Sequence, residues 1–192
     1  MNYVVPARGG EGGQVIWVTG LSGCGKTTLC DALHALLKPR MPQLIKLDGD
    51  EIRAAFGNDL GYAESERKKQ IGRIQRMAKM LADQGLVVLV AALYSHPDLL
   101  AWNRANLPRY FEVYLRADVD FLATRDPKGL YRKSQRGEIS DVVGVDIPWH
   151  APQRADLVID AAAQTPADRL AFDVVRAIPD MTGMLRSEAR QS

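Results

Sequence analysis

Apolar residues in this chain recur in two alternating rhythms. Short, nearly unbroken apolar runs of the kind that buried strands show fall at 14–19, 44–47, 86–93, 110–115 and 156–160. Between them, apolar residues return at three- and four-residue spacing, as on one face of a helix. The spacing predicts helices over 28–37 (Leu29, Leu33, Leu36, Leu37), about 64–84, about 97–106 and about 118–125. A last helix is expected over 166–177, with Pro166 in the first helical position, where a missing N–H leaves no bond unmade. Strands alternating with helices predict an α/β domain with a five-stranded parallel sheet and helices on both faces. The continuous apolar character of 86–93 marks a central strand buried on both sides. Residues 127–152 break the rhythm: they are polar and carry Pro127, Gly129, Pro148 and Pro152. Long irregular segments in compact domains tend to be functional, so this one is read as a lid. Residues 1–13, ending Gly9-Gly10-Glu11-Gly12-Gly13, read as a flexible leader, 14–180 as one domain and 181–192 as a polar tail.

Composition changes this picture little. The chain has 192 residues, 46% of them hydrophobic and 25% charged, with a formal net charge of +2. Near-neutral charge gives no reason to expect nucleic acid as a partner. No apolar run approaches the roughly 20 residues that span a bilayer, and no signal-peptide core is present, so membrane association is not expected either. Cys24 and Cys30 are too few and too close for a disulfide framework, which points to a cytoplasmic, reducing setting. Cys24, ahead of a predicted helix, is a position where a thiol pKa can fall. His34, His96 and His150 lack metal-site spacing.

The chemistry enters at residues 20–28, Gly-Leu-Ser-Gly-Cys-Gly-Lys-Thr-Thr. Gly20, Gly25, Lys26 and Thr27 fill the pattern G-x-x-x-x-G-K-[ST], placed between a predicted strand and a predicted helix as its chemistry requires. Glycines let backbone N–H groups close round phosphate oxygens, and the helix N-terminus adds positive potential. Lys26 would bridge the β- and γ-phosphates of ATP, and the Thr27 hydroxyl would hold Mg²⁺. Gly20, Ser22, Gly23, Cys24, Gly25, Lys26, Thr27 and Thr28 are the expected ATP-cradling residues, joined by Arg125 and Lys128 from the start of the lid.

Such a loop needs carboxylates, and Asp48 and Asp50 end the second predicted strand. The C-terminal ends of parallel strands open on one crevice. One carboxylate could orient Mg²⁺ and the other accept a proton from an attacking hydroxyl. Thr27 and Asp48 are the expected metal ligands and Lys26, Asp48 and Asp50 the expected catalytic residues. Which carboxylate takes the proton stays open, and Asp50 could instead only cap a helix starting at Glu51. The basic run Arg67, Lys68, Lys69, Arg73, Arg76, Lys79 reads as a solvated helix face, with Arg67 set apart.

With these segments in line, the chain resembles the adenylylsulfate (APS) kinases, P-loop kinases that phosphorylate the 3′-hydroxyl of adenylylsulfate. The resemblance spans about residues 14–178. It rests on 20–28, Leu-Asp-Gly-Asp-Glu-Ile-Arg at 47–53, Asp-Leu-Gly-Tyr at 59–62, Ala-Asp-Gln-Gly-Leu at 82–86, Arg-Asp-Pro-Lys-Gly-Leu-Tyr at 125–131 and Gly-Glu-Ile at 137–139. It implies MgATP as donor, a small nucleotide as acceptor and often a homodimer. It places Arg53 and Arg67 on the acceptor's anionic group and Tyr62 against its base. Gln70 and Val142 complete the acceptor set, and both are departures: the family has Asn at the first and a stacking Phe at the second. After the central strand the family reads Phe-Ile-Ser-Pro, where this chain has Ala92-Leu93-Tyr94-Ser95-His96-Pro97.

A subgroup that includes the cytidine diphosphoramidate kinases of bacterial capsule pathways shares similar departures. It too carries Trp-Asn-Arg (102–104 here), Tyr-Phe-Glu-Val (110–113) and a Val-Val-Gly lid (142–144). One missing aromatic removes a stacking contact of roughly 1–3 kcal/mol. The expected activity is therefore ATP-dependent phosphorylation of a nucleotide 3′-hydroxyl, with a cytidine diphosphoramidate-type acceptor favoured over adenylylsulfate. A P-loop NTPase switch and a catalytically silent nucleotide-binding module are the competing classes. The first would need a water-positioning motif that is not visible; the second conflicts with intact Lys26, Thr27, Asp48 and Asp50.

Overall fold

The computed structural model describes residues 12–126, 129–179 and 181. Five strands, β1 (Gln14–Thr19), β2 (Leu44–Asp48), β3 (Val87–Ala92), β4 (Phe111–Arg116) and β5 (Leu157–Asp160), form one parallel sheet in the order β2-β3-β1-β4-β5. Among the described residues seven α-helices accompany them: α1 (Lys26–Leu37), α2 (Gly49–Ala55), α3 (Glu64–Ala82), α4 (Pro97–Asn106), α5 (Val119–Arg125), α6 (Leu130–Gln135) and α7 (Ala167–Ala177). They cover both faces of the sheet, as parallel crossovers require. Every residue of β1 and β3 is buried, which is why both read as unbroken apolar runs. The middle strand is β1, with β3 beside it.

The core forms where the leucines of α1 and the isoleucines of α3 meet the sheet. Leu29, Leu33 and Leu37 on α1, Ile74 on α3, and Ile16, Trp17 and Leu89 on the sheet are each at most 1% exposed. Side chains of this kind each contribute about 1.5–3 kcal/mol when fully buried. Gly13, expected at the end of a loose leader, is part of this packing. A Cβ on it would lie 2.0 Å from the Ala82 carbonyl oxygen, so only glycine lets the chain enter β1 beneath α3. At the other end Met181, expected to begin a polar tail, is buried in the core cluster. Residues 1–11 and 182–192 lie outside the described residues.

Three elements depart from expectation. α2 begins at Gly49, capped by the Asp48 carboxylate, which accepts from Asp50 N at 2.8 Å. The cap is thus Asp48, and Asp50 lies inside the helix. α6 lies within the segment read as irregular. It has too few apolar positions to show a period, and it is set instead by Gly129 in the left-handed region (φ 66°) and by Asp126 accepting from Arg132 N at 3.0 Å. α7 starts at Ala167, with Pro166 just outside it.

Strand register brings the chemistry to one edge. Thr19 pairs with Ala92 and Asp48 with Ala91, so β1, β2 and β3 end side by side. Their C-terminal ends open into a cleft of about 660 Å³.

Candidate active site

One wall of the cleft is the loop between β1 and α1. Ser22, Gly23, Gly25, Lys26, Thr27 and Thr28 all line it. Gly20 lies beneath: a Cβ there would meet the Leu115 carbonyl oxygen at 2.6 Å and the Cys24 sulfur at 2.7 Å. Gly25 takes φ 102° as the N-cap of α1, a conformation that turns the chain into the helix and that other residues rarely adopt. Lys26 Nζ donates to Leu21 O at 2.8 Å across the loop. α6 is tied here as well, since the buried Tyr131 donates its hydroxyl to Ser22 O at 3.1 Å.

The floor is the turn from β2 into α2. Asp48 is 6% exposed and uses both carboxylate oxygens. Oδ2 accepts from Thr27 Oγ1 at 2.9 Å, and Oδ1 accepts from Asp50 N at 2.8 Å. A hydroxyl and a carboxylate are thus held side by side at the foot of the phosphate loop. Asp50, on the first turn of α2, lines the cleft next to them.

The far wall is built from four separate stretches of chain. Arg53 of α2 is 7% exposed and donates through one nitrogen to Leu60 O (2.5 Å) and Gly61 O (2.9 Å). Arg67 of α3 donates to Tyr62 O at 2.8 Å and across to Asp141 O of the lid at 2.6 Å. Both guanidiniums approach the Tyr62 ring, at 4.7 and 5.3 Å from its centre, within cation–π range. Burial first, and the like charge of Arg53 second, hold the Arg67 pKa below its ordinary value. Two crowded, part-buried guanidiniums facing one cleft make a site that an anion would relieve. Val142 lines this wall, 6% exposed; the Asp146 carboxylate accepts from the backbone N–H of Asp141 and of Val142 and fixes the lid turn.

The structure therefore gathers most of the residues singled out from the sequence. Among the described residues, Lys26, Thr27, Asp48, Asp50, Arg53, Tyr62, Arg67, Gln70 and Val142 all line the cleft. Gln70, grouped with the acceptor residues, has both ends of its amide on protein: Nε2 donates to Gly49 O and Oε1 accepts from Arg73, each at 3.2 Å. Arg125 ends α5 exposed, with its guanidinium 5.8 Å from the Phe121 ring, and is not among the cleft-lining residues. Lys128 lies outside the described residues. Cys24 is buried, and burial outweighs the Lys26 charge, so its thiol pKa is pushed up rather than lowered.

Other residues escaped sequence reasoning. Arg73 looked like part of a solvated face, yet it forks onto both oxygens of Asp59 (3.0 and 2.7 Å), and its guanidinium lies 4.1 Å from the Phe56 ring centre. Its three-residue spacing from Gln70 was the available signal, because such positions are neighbours on a helix. Tyr94, also on the cleft, is buried and donates to Glu64 Oε1 at 2.7 Å. Burial and that carboxylate raise its phenol pKa. The Trp102-Asn103-Arg104 stretch lies elsewhere. Asn103 bridges Gln75 and Tyr110, and Arg104 pairs with Asp156 and the buried Glu112.

The comparisons with known proteins fit this geometry. A family model described as adenylylsulphate kinase matches residues 12–160. The adenylyl-sulfate kinase of Geotalea uraniireducens is 39% identical over 155 residues, 80% of this chain and 74% of that one. The cytidine diphosphoramidate kinase of Campylobacter jejuni is 42% identical over 146 residues, 76% of this chain and 85% of that one. A probable bifunctional SAT/APS kinase 2 from Sorangium cellulosum is 38% identical over 83% of this chain, which spans only 27% of that longer protein. Among solved structures, the Mycobacterium tuberculosis APS kinase in complex with AMPPNP and APS superposes with a TM-score of 0.77 at 32% identity, covering 86% of this chain and 97% of that one.

Proposed function

The chain belongs to the adenylylsulphate kinase family, and from that premise we propose that it transfers the γ-phosphoryl group of ATP to the 3′-hydroxyl of a cytidine diphosphoramidate-type nucleotide. The observation that carries the choice of acceptor is the lid position Val142. It is an aliphatic residue on the cleft wall; of the two aromatic residues in the described lining, Tyr94 is buried with its hydroxyl on Glu64, which leaves the exposed Tyr62 as the ring open to stacking. One stacking wall suits a pyrimidine with less loss than it does adenine, the larger ring. The 42% identity to a cytidine diphosphoramidate kinase supports the same reading.

In this mechanism the acceptor's 3′-oxygen attacks the γ-phosphorus as the bond to the β-phosphate oxygen breaks, leaving ADP. Lys26 and the loop N–H groups stabilise charge on the transferring group. The acceptor's proton is assigned to Asp50, which lines the cleft on the first turn of α2 beside the Thr27–Asp48 pair. The Thr27 hydroxyl and Asp48 carboxylate are hard oxygen donors 2.9 Å apart, a pair that would suit Mg²⁺. Mg²⁺, when bound, neutralises charge on the β- and γ-phosphates. Arg53 and Arg67 take the acceptor's anionic end, and Tyr62 its base. No helix among the described residues is long and apolar enough to cross a membrane.

Adenylylsulfate is the second reading, favoured by the several relatives named adenylyl-sulfate kinase. A nucleotide switch is the third. ATP consumption measured with and without a nucleotide acceptor tests the proposal. A kinase consumes ATP only with the acceptor and yields a product heavier by one phosphoryl group. Hydrolysis at the same rate without acceptor would make the protein a switch.

A further inference from the structure

The peptide unit between Gly49 and Asp50 is held at both ends. Its N–H, on Asp50, donates to Asp48 Oδ1 at 2.8 Å, and its C=O, on Gly49, accepts from Gln70 Nε2 at 3.2 Å. A peptide unit is planar, so bonds at its two ends fix the orientation of the plane from which the Asp50 side chain departs. Gln70 is 4% exposed, and its other end is also fixed, since Oε1 accepts from Arg73 Nη1 at 3.2 Å. An amide can present either its oxygen or its nitrogen to a neighbour, but a guanidinium only donates and a carbonyl only accepts. Arg73 and Gly49 O together therefore permit one amide orientation. Arg73 is itself immobilised by the two-pronged pairing with Asp59 and by the Phe56 ring. Asp59 belongs to the same connecting segment, before α3, whose Leu60 and Gly61 carbonyls Arg53 holds.

From this chain of contacts we propose that Gln70, oriented by Arg73, is a positioning residue that sets the Gly49–Asp50 peptide for phosphoryl transfer and makes no hydrogen bond to the acceptor. The proposal rests on the reading of Asp50 as the proton acceptor. It explains why a glutamine serves here. An asparagine, one methylene shorter, would draw its amide back from Gly49 O and Arg73 at the same backbone position. It also links the acceptor wall to the catalytic turn: displacement of the segment carrying Asp59 and Tyr62 would be passed through Arg73 and Gln70 to the peptide that carries Asp50.

The test is steady-state kinetics on Gln70→Leu, Gln70→Asn, Arg73→Met and the double variant Gln70→Leu/Arg73→Met, using an acceptor that the unmodified protein phosphorylates. Arg73 is partly exposed, so its variant stays informative if the buried Gln70 position tolerates change poorly; melting temperature is read alongside. Each single variant is expected to lower kcat by roughly 10–100-fold, the scale of a misplacement of about 1 Å. Acceptor KM should stay within about 2-fold, and the double variant should be no slower than Gln70→Leu, because both act on one peptide. A several-fold rise in acceptor KM with kcat preserved would make Gln70 an acceptor ligand and overturn the proposal. So would unchanged kinetics or additive losses. If the unmodified protein phosphorylates no nucleotide, the kinase reading fails and this proposal with it; an active parent with unaffected variants sinks this proposal alone.

Discussion

The two walls of the cleft are built on different principles. The donor wall is a single stretch of nine residues, 20–28, shaped by its own glycines and by the strand and helix at its ends. Its function would come largely from backbone N–H groups, so a short pattern states it completely. The acceptor wall draws on α2, the segment before α3, α3 itself and the lid, and long-range contacts position its groups. Arg67, for instance, joins Tyr62 O to Asp141 O, 74 residues away in the chain. A locally encoded wall keeps its shape when single neighbours change. A wall assembled from four elements can change its ligand through one side chain, and Val142 is proposed as such a place. Within one family, the donor can thus stay fixed while the acceptor varies.

Changes on the donor side should strike the chemical step hardest. Lys26→Ala removes the positive charge of the phosphate loop, and kcat should fall by about 10²–10⁴ with the fold intact. Near-normal turnover would show that the loop does not serve phosphoryl transfer. Asp48→Asn and Asp50→Asn should each cost at least about 10² in kcat. Asp48→Asn should also raise the Mg²⁺ concentration needed for half-maximal rate, whereas Asp50→Asn should leave it unchanged. A reversed pattern would exchange the two roles.

Acceptor-side changes should instead separate the substrates. Arg67→Ala and Arg53→Lys should raise acceptor KM by about 10–100-fold, the value of a charge-assisted hydrogen bond of about 1.5–3 kcal/mol, and leave ATP KM nearly unchanged. Arg53 also anchors the Leu60 and Gly61 carbonyls, so thermal denaturation belongs beside the kinetics. A loss confined to ATP would erase the distinction between the walls. The smallest effect is the most specific. Val142→Phe should shift the ratio of kcat/KM values toward adenylylsulfate by about tenfold, the value of one stacking contact. An unchanged ratio would remove Val142 as the determinant.

The same division explains what could be read from the sequence. The strands fell within about a residue of their expected ends because buried parallel strands are nearly pure apolar runs. The phosphate loop and the Asp48–Asp50 turn were legible because their chemistry is local. α6 was not, since two left-handed or near-left-handed residues, Asp126 and Gly129, and a carboxylate cap define it rather than an apolar period. Gly13 read as leader because nothing in a glycine's own identity reports the Ala82 carbonyl it must clear. Arg73 read as a solvated charge because its partner Asp59 lies 14 residues away, on a segment whose path the sequence does not specify.

The central claim is that this cleft phosphorylates a nucleotide whose base needs only one aromatic wall. The direct measurement is kcat/KM of the unmodified protein for cytidine diphosphoramidate and for adenylylsulfate, side by side at saturating MgATP, with products identified by mass. The account predicts a 3′-phosphorylated cytidine product and at least about tenfold lower kcat/KM for adenylylsulfate. Efficient turnover of adenylylsulfate with none of cytidine diphosphoramidate would contradict it.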